Sequence, residues 1–305
     1  MSTKTILVTG ATGAQGGSVA HHLLNTGQFA VRCLTRNPSS EKAQALKQAG
    51  AQIVAGDLGD VETLKAALAG CQAVFGVTNF WEHFGGEQEQ GKNLIEAVAA
   101  ANEVDHFVFS TLPSAHDISG GELSVPHFDI KARLETATRE RGLPATFVHV
   151  AFYYENFLTF FPPQPQTDGT FAFGFPQGDT PLAAVSVEDL GGVVAPIFAQ
   201  PDEFRGKTVG IVGDDLPPAM YAQIMTRLLG TTIVYNDIPR TIFAGFGFPG
   251  AAELADMFDF NRRFIPNRAD DLAQSRRLYP AMQTFEAWLT ANRDSFLPLF
   301  NQAKA

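Results

Sequence analysis

Gly10, Gly13 and Gly16 stand three residues apart directly after an apolar run, Ile6–Thr9, and open a helical pattern that leads to a second apolar run, Val31–Thr35. Each glycine has its own task in that order of elements. The first permits a tight turn, the second lets backbone approach a pyrophosphate, and the third lets the helix lie close to the strand. Free N–H groups at a helix start attract anions, so the chemistry expected here is capture of a diphosphate bridge. After the second run comes Arg36, where a protein selective for a ribose 2′-hydroxyl carries an acid. A guanidinium favours a 2′-phosphate, so the expected cofactor is NADP(H). NAD(H) is the alternative, because Ser39-Ser40-Glu41 follow and a basic clamp rests on Arg36 alone or with Lys42.

Three further groups belong to the same expectation. Asp57, in the stretch GDLGD, either bonds an adenine amino group, with the neighbouring backbone at Leu58, or caps a turn. A fourth apolar run ends in Thr78-Asn79-Phe80-Trp81, which in this topology lies beside a nicotinamide ribose; the alternative is a loop anchored by core aromatics. His127 and Lys131 stand four apart, so one helical turn brings both to the same face. Short-chain dehydrogenases place Tyr and Lys at this spacing, the lysine holding the ribose and lowering the phenol's pKa for proton exchange with a carbonyl. Here the phenol is replaced by His127. Lys131 is expected as a ribose ligand, and His127 either as an acid or as a packed, hydrogen-bonding wall. The seven histidines are scattered, and the adjacent His21 and His22 point to different helix faces, so no metal site is expected.

Such residues need a sheet and helices to place them. Apolar runs at Ile6–Thr9, Val31–Thr35, Ala51–Gly56, Ala73–Thr78, His106–Thr111 and Ala145–Val150 read as buried strands. Helical patterns at Val61–Ala69, Gln88–Ala101 and His127–Arg141 fall between them. Apolar strands alternating with helices form a parallel sheet covered on both faces, and right-handed crossovers make it a doubly wound Rossmann sheet. After Val150 the alternation decays at Pro162, Pro163 and Pro165. Gly169–Phe175 reads as a short hairpin or strand, Ser186–Phe198 as a helix with a capping box at Ser186 and Asp189, and Lys207–Val212 as a strand rejoining the sheet. Pro218–Leu229, Gly250–Phe260 and Phe285–Asn292 read as helices. The expected class is α/β: a Rossmann domain over residues 1–150 and a smaller α/β C-terminal domain over 151–305, which can return elements to the first and forms the far wall of a cleft.

Composition bounds the function. The 305 residues are 45% hydrophobic and 18% charged, which fits an ordinary folded protein. A net charge of −10 with no basic block disfavours direct nucleic-acid binding. No run nears the ~20 apolar residues of a membrane span. Strand begins by Thr5, leaving no room for a signal peptide, and only Cys33 and Cys71 occur; the expected location is cytoplasmic. Cys33 is expected as buried filler. The 26 phenylalanines include clusters at Phe157–Phe161 and Phe243–Phe248, mostly core, with some available to an aromatic pocket or a subunit interface.

With these residues in hand, the chain resembles the NmrA-like family of atypical short-chain dehydrogenases, and within it an NADPH-sensing branch. The likeness covers nearly the whole chain, through VTGATGAQGGSVA, LTRNP, VTNFWE, PHFDIK, YENFL, SVEDLG and GFPGAAELADMF. The resemblance implies NADP(H) binding and, in some members, redox sensing in which oligomeric state or partner binding follows cofactor occupancy. Carried over by position, it implies that Gly10, Thr12, Gly13, Gln15 and Gly16 hold the pyrophosphate and Arg36 the 2′-phosphate. It places Thr78, Asn79, Phe80 and Lys131 around the nicotinamide, with Tyr153, Glu155 and Asn156 closing the pocket from the second domain. Absence of the catalytic tyrosine is a feature of this branch. The expected function is a redox sensor or regulator without efficient classical dehydrogenase activity. The alternatives are an NADPH-dependent reductase of a quinone or aromatic, isoflavone-like substrate, or an interaction protein with the cofactor as structural glue. Expected partners are the dinucleotide and a protein partner or second copy of the chain.

Arg36→Glu should shift preference toward NADH, lowering NADPH affinity on the order of 30-fold, the worth of a charge-assisted pair. Titration of both cofactors by fluorescence checks this.

Overall fold

The computed structural model describes residues 3–82 and 85–301. The chain forms two compact units. The first runs to Ser114 and adds His127–Val150 and Val187–Val209; the second takes Ala115–Pro126, Ala151–Ser186 and the chain from Gly210.

Strands β1 (Thr5–Val8), β2 (Ala30–Thr35), β3 (Gln52–Ala55), β4 (Ala73–Gly76) and β5 (His106–Thr111) alternate with helices α1 (Ala14–Thr26), α2 (Glu41–Gln48), α3 (Val61–Leu68) and α4 (Glu87–Ala100). The short α5 (Ala115–Ile118), in the second unit, precedes α6 (Pro126–Glu140) and β6 (Ala145–Val150). Pairs β1–β2, β2–β3, β1–β4, β4–β5 and β5–β6 are all parallel. Residues of β4 and β5 are buried throughout, as a sheet covered on both faces demands. One face packs Leu7, Leu94, Phe107, Phe109, Leu134 and Phe147 into a single core. The order β3-β2-β1-β4-β5-β6 reverses direction between β1 and β4, and ligands of doubly wound sheets bind beyond the strand ends at such a point.

The chain then continues through β7 (Phe152–Tyr153), β8 (Gln164–Pro165), β9 (Phe171–Phe175) and β10 (Leu182–Val185) in the second unit. It returns to the first through a 3₁₀ turn (Val187–Asp189), α7 (Leu190–Ala199) and α8 (Pro201–Phe204). The expected helix over Ser186–Phe198 therefore starts as 3₁₀ and becomes α only at Leu190. Gly191 lets α7 lie on α1, since a Cβ there would stand 2.3 Å from the Ser18 carbonyl oxygen. Ser18 Oγ seals the contact by donating to the Glu188 carbonyl at 2.6 Å and accepting from Gly191 N–H at 2.9 Å.

Next, β11 (Thr208–Ile211) adds to the sheet beside β6, and the chain crosses into the second unit within it. Beyond lie β12 (Asp214–Leu216), α9 (Pro218–Leu229), β13 (Ile233–Asp237), α10 (Arg240–Ala244), α11 (Ala251–Phe264), α12 (Ala269–Leu278), α13 (Phe285–Ala291) and α14 (Arg293–Asn301). Two three-stranded sheets, β12-β10-β7 and β13-β9-β8, organise this unit. Aromatics fill it: Phe175 stacks on Phe258 at 4.4 Å, and Tyr154, Phe157, Tyr221, Phe285 and Trp288 form a connected buried cluster. Phe160 stands out from this core as an exposed ring.

Both cysteines are buried, and burial pushes the Cys33 thiol up to about 12, so neither is a reactive thiolate. No helix among the described residues is long and apolar enough to cross a membrane.

His106, at the start of β5, is buried with Nε2 against Thr146 Oγ1 at 2.8 Å. Burial, with Arg205 nearby, lowers its pKa to about 4 from 6.5. The folded state favours the neutral ring, so this stability is complete above pH 6.5 and is lost as pH falls toward 4. Such a shift is worth on the order of 3 kcal/mol. His106→Gln should remove that part of the acid-induced fall in melting temperature, measured against wild type from pH 7 to 4.

Candidate functional site

The turn between β1 and α1 has the features expected of an anion cradle. Gly10 adopts φ +58, a left-handed conformation that a side chain disfavours, and its carbonyl accepts from Gly13 N–H at 2.8 Å. Gly13 is the N-cap of α1 without a side-chain cap, and it is exposed with Ala14, so first-turn amides face outward. Thr12 and Gln15 flank it, half-buried. A Cβ on Gly16 would come within 2.4 Å of the Thr9 and Gly10 carbonyl oxygens, so only hydrogen lets α1 sit this close to β1. The geometry fits a pyrophosphate at the helix start.

On the β2 side, Arg36 is half-exposed and ion-paired with Glu82 from the segment after β4. That hydrogen-bonded carboxylate raises the guanidinium's pKa further. Asp57 closes an Asx turn, its Oδ1 accepting from Gly59 N–H at 2.8 Å. Leu58 offers its carbonyl to Asn93 Nδ2 at 3.0 Å.

On the β4 side the strand ends at Gly76, two residues sooner than the apolar run suggested. Val77 N–H donates to Thr9 Oγ1 at 2.9 Å, turning Thr78 away from the sheet and toward α6. Lys131 Nζ donates to the Thr78 carbonyl and hydroxyl, both at 3.0 Å, and to Glu87 Oε1 at 2.5 Å. Thr78 Oγ1 also donates to Glu87 Oε1 at 2.7 Å. The Glu87 side chain is fully buried and that of Lys131 only 11% exposed. An ammonium has three protons, and three acceptors of its own unit take them. Asn79 is exposed and its Oδ1 accepts from Trp81 N–H at 3.2 Å. Phe80 is buried, and its ring and that of Trp81 lie 5.8 and 5.2 Å from His127. The histidine, itself buried, packs edge-on to Phe128.

Sequence reasoning missed Glu87, although a signal existed. Glu87, Gly91, Leu94, Ile95 and Val98 share the buried face of α4, and a carboxylate on such a stripe demands a partner. Gly91 supplies the distance: a Cβ there would lie 2.2 Å from Leu134 Cδ1 of α6. Glu87 is one turn before Gly91 and Lys131 nearly one turn before Leu134, so close packing of the two helices makes the ion pair. Farther along α6, Glu135 ties the helix to the strand ends. It accepts from Thr111 Oγ1 at 2.7 Å and lies 3.0 Å from His149 Nε2. Burial opposes its charge, but His149, Thr111 and Arg139 together hold its pKa down at about 2.

In the second unit, Tyr153 ends β7, and Glu155 and Asn156 lie in the 3₁₀ turn Tyr154–Phe157. Glu155 Oε1 accepts from Ser186 Oγ at 3.0 Å, and the Asn156 carbonyl collects the backbone N–H groups of Phe160 and Phe161. Among the described residues no group of three or more His, Cys, Asp and Glu could hold a metal.

The sequence profile of the NmrA-like family matches residues 2–289. The chain belongs to the NmrA-like family. Among curated members, it is 31% identical to an NmrA-like domain-containing oxidoreductase, FrzB, of Cladobotryum sp, over 90% of this chain and 91% of that one. It is also 31% identical to an NmrA-like domain-containing protein of Dictyostelium discoideum, over 77% and 80%. The solved structure of NmrA, a negative transcriptional regulator, in complex with NADP superposes with a TM-score of 0.82 at 23% identity, covering 100% of this chain and 98% of that one. The NADPH-dependent quinone oxidoreductase QOR2 of Escherichia coli, complexed with NADPH, gives 0.78 at 24%, over 94% and 99%. The Rossmann-like fold is thus the family's.

Replacing Glu87 alone by Leu strands a buried ammonium and should cost about 3–5 kcal/mol, whereas Glu87→Leu with Lys131→Met should recover most of it. Chemical denaturation of both variants and wild type checks this.

Proposed function

We propose that this NmrA-like protein binds NADP(H) as a sensor or regulator and lacks efficient classical dehydrogenase activity. The observation that carries this reading is the engagement of Lys131 by Thr78 and Glu87 beside a buried histidine, at the place where a dehydrogenase keeps a lysine–phenol pair. When bound, the cofactor supplies a hydride. Gly10, Thr12, Gly13, Gln15 and Gly16 hold its pyrophosphate, Arg36 its 2′-phosphate, with Asp57 and Leu58 near the adenine. Thr78, Asn79, Phe80 and Lys131 flank the nicotinamide. Lys131 contributes a fixed positive charge and orients Thr78, while its protons are already committed. His127 packs with Phe80, Trp81 and Phe128, which suits a wall better than a proton donor. A carbonyl substrate would therefore find no poised acid. Because neither cysteine is a reactive thiolate, sensing rests on cofactor occupancy.

A second reading, reduction of a quinone or related aromatic acceptor, is favoured by the oxidoreductase names of curated relatives. A quinone gains aromaticity on reduction and needs little acid catalysis, so the absence of a phenol at the position of His127 does not oppose it.

NADPH at about 100 times its dissociation constant should stabilise the protein by about 2.7 kcal/mol, and Gly16→Val should abolish the effect. A panel of aldehydes and ketones should consume NADPH no faster than buffer. Absent thermal stabilisation sinks the binding site, and ordinary enzymatic turnover of any carbonyl sinks the sensor reading. Turnover of quinones alone selects the second reading.

A further inference from the structure

Arg36 and Glu82 come from opposite sides of the crevice. Arg36 follows β2 and Glu82 follows β4, and in the sheet these strands flank β1. Neighbouring strands are ~4.8 Å apart, so β2 and β4 stand about 10 Å apart on either side of β1, whose carboxyl end leads to the Gly10–Gly13 turn. The ion pair ties Glu82, at the end of residues 79–82, to the residue that follows β2.

The segment is not an idle loop. It carries Phe80 and Trp81, whose rings lie 5.2 Å apart and both pack against His127 of α6. Its end is fixed by the same guanidinium that the proposed function assigns to the adenosine 2′-phosphate. A carboxylate and a phosphate compete for one guanidinium because both accept two hydrogen bonds from its planar fork, and the phosphate carries more charge and more acceptor oxygens. A 2′-hydroxyl offers no such competition.

We propose that Glu82 is an internal competitor for the adenosine 2′-phosphate at Arg36, so that NADP(H), and not NAD(H), releases the 79–82 segment and its aromatic pair. Glu82 thereby has two effects. It narrows discrimination between the two cofactors, because part of the phosphate's interaction replaces a pair already made. It also converts the presence of one phosphate group into movement of the aromatic wall beside His127. The inference rests on the reading that Arg36 receives the 2′-phosphate, and the variants separate the two.

The test uses the full chain with two fragments that lack the nicotinamide, adenosine 2′,5′-bisphosphate and AMP, alongside NADPH and NADH. Glu82→Gln should raise affinity for NADPH and for the bisphosphate about two- to fivefold, the range of an exposed ion pair, and leave NADH and AMP unchanged. The gain should shrink in 1 M salt, where exposed pairs are screened. In wild type the bisphosphate, but not AMP, should change the fluorescence of Trp81, identified by its loss in Trp81→Phe; in Glu82→Gln that change should be present before ligand is added. No gain with Glu82→Gln, or an equal gain for phosphorylated and unphosphorylated ligands, overturns the competition. Arg36→Ala separates the levels. An unchanged NADPH-to-NADH ratio in it overturns the 2′-phosphate assignment itself, whereas a fallen ratio there, with no gain in Glu82→Gln, overturns only the role of Glu82.

Discussion

A buried ion pair fixes the chain that follows β4. Lys131 and Glu87 sit in the Rossmann unit with almost no access to water, where an unpaired charge would be costly. Their meeting depends on α4 and α6 approaching closely, which the missing side chain at Gly91 allows against Leu134. Once the pair forms, Thr78, just beyond the end of β4, bonds both partners. Packing distance, electrostatics and the path of the loop follow from one contact.

The same contact underlies the chemistry proposed for the site. A lysine lowers a phenol's pKa by holding its positive charge beside that phenol. Here the protons are committed, and the residue one turn earlier is a histidine held among three aromatic rings. The result is a floor held by a buried ion pair, with an aromatic wall beside it. Binding and orientation suit such a surface, and so does hydride transfer to an acceptor that needs no acid.

The two ends of the site differ in rigidity for a physical reason. Lys131 and Glu87 are dry, so their pairing resists salt and competition. Arg36 and Glu82 are half-exposed and weakly paired, so a better anion can displace the carboxylate. The proposed response to one phosphate group would use that asymmetry: a fixed end that holds position and a labile end that responds.

Much of this was written into local sequence. Apolar runs and glycine spacing determined the parallel strands, the turn after β1 and the helix start, because strand burial, left-handed turns and helix–strand contact are short-range demands on residue type. β5 and β6 begin and end at the residues their apolar runs predicted, and Cys33 is buried as its alternating strand implied. Tertiary structure decided the partners. Glu87 and Lys131 are 44 residues apart and Arg36 and Glu82 are 46 apart, and no local pattern couples them. The return of Val187–Val209 to the first unit likewise depends on Gly191 meeting the backbone of Ser18. Residue type determines what a side chain can do; which charge it faces is settled only when helices and strands distant in sequence pack.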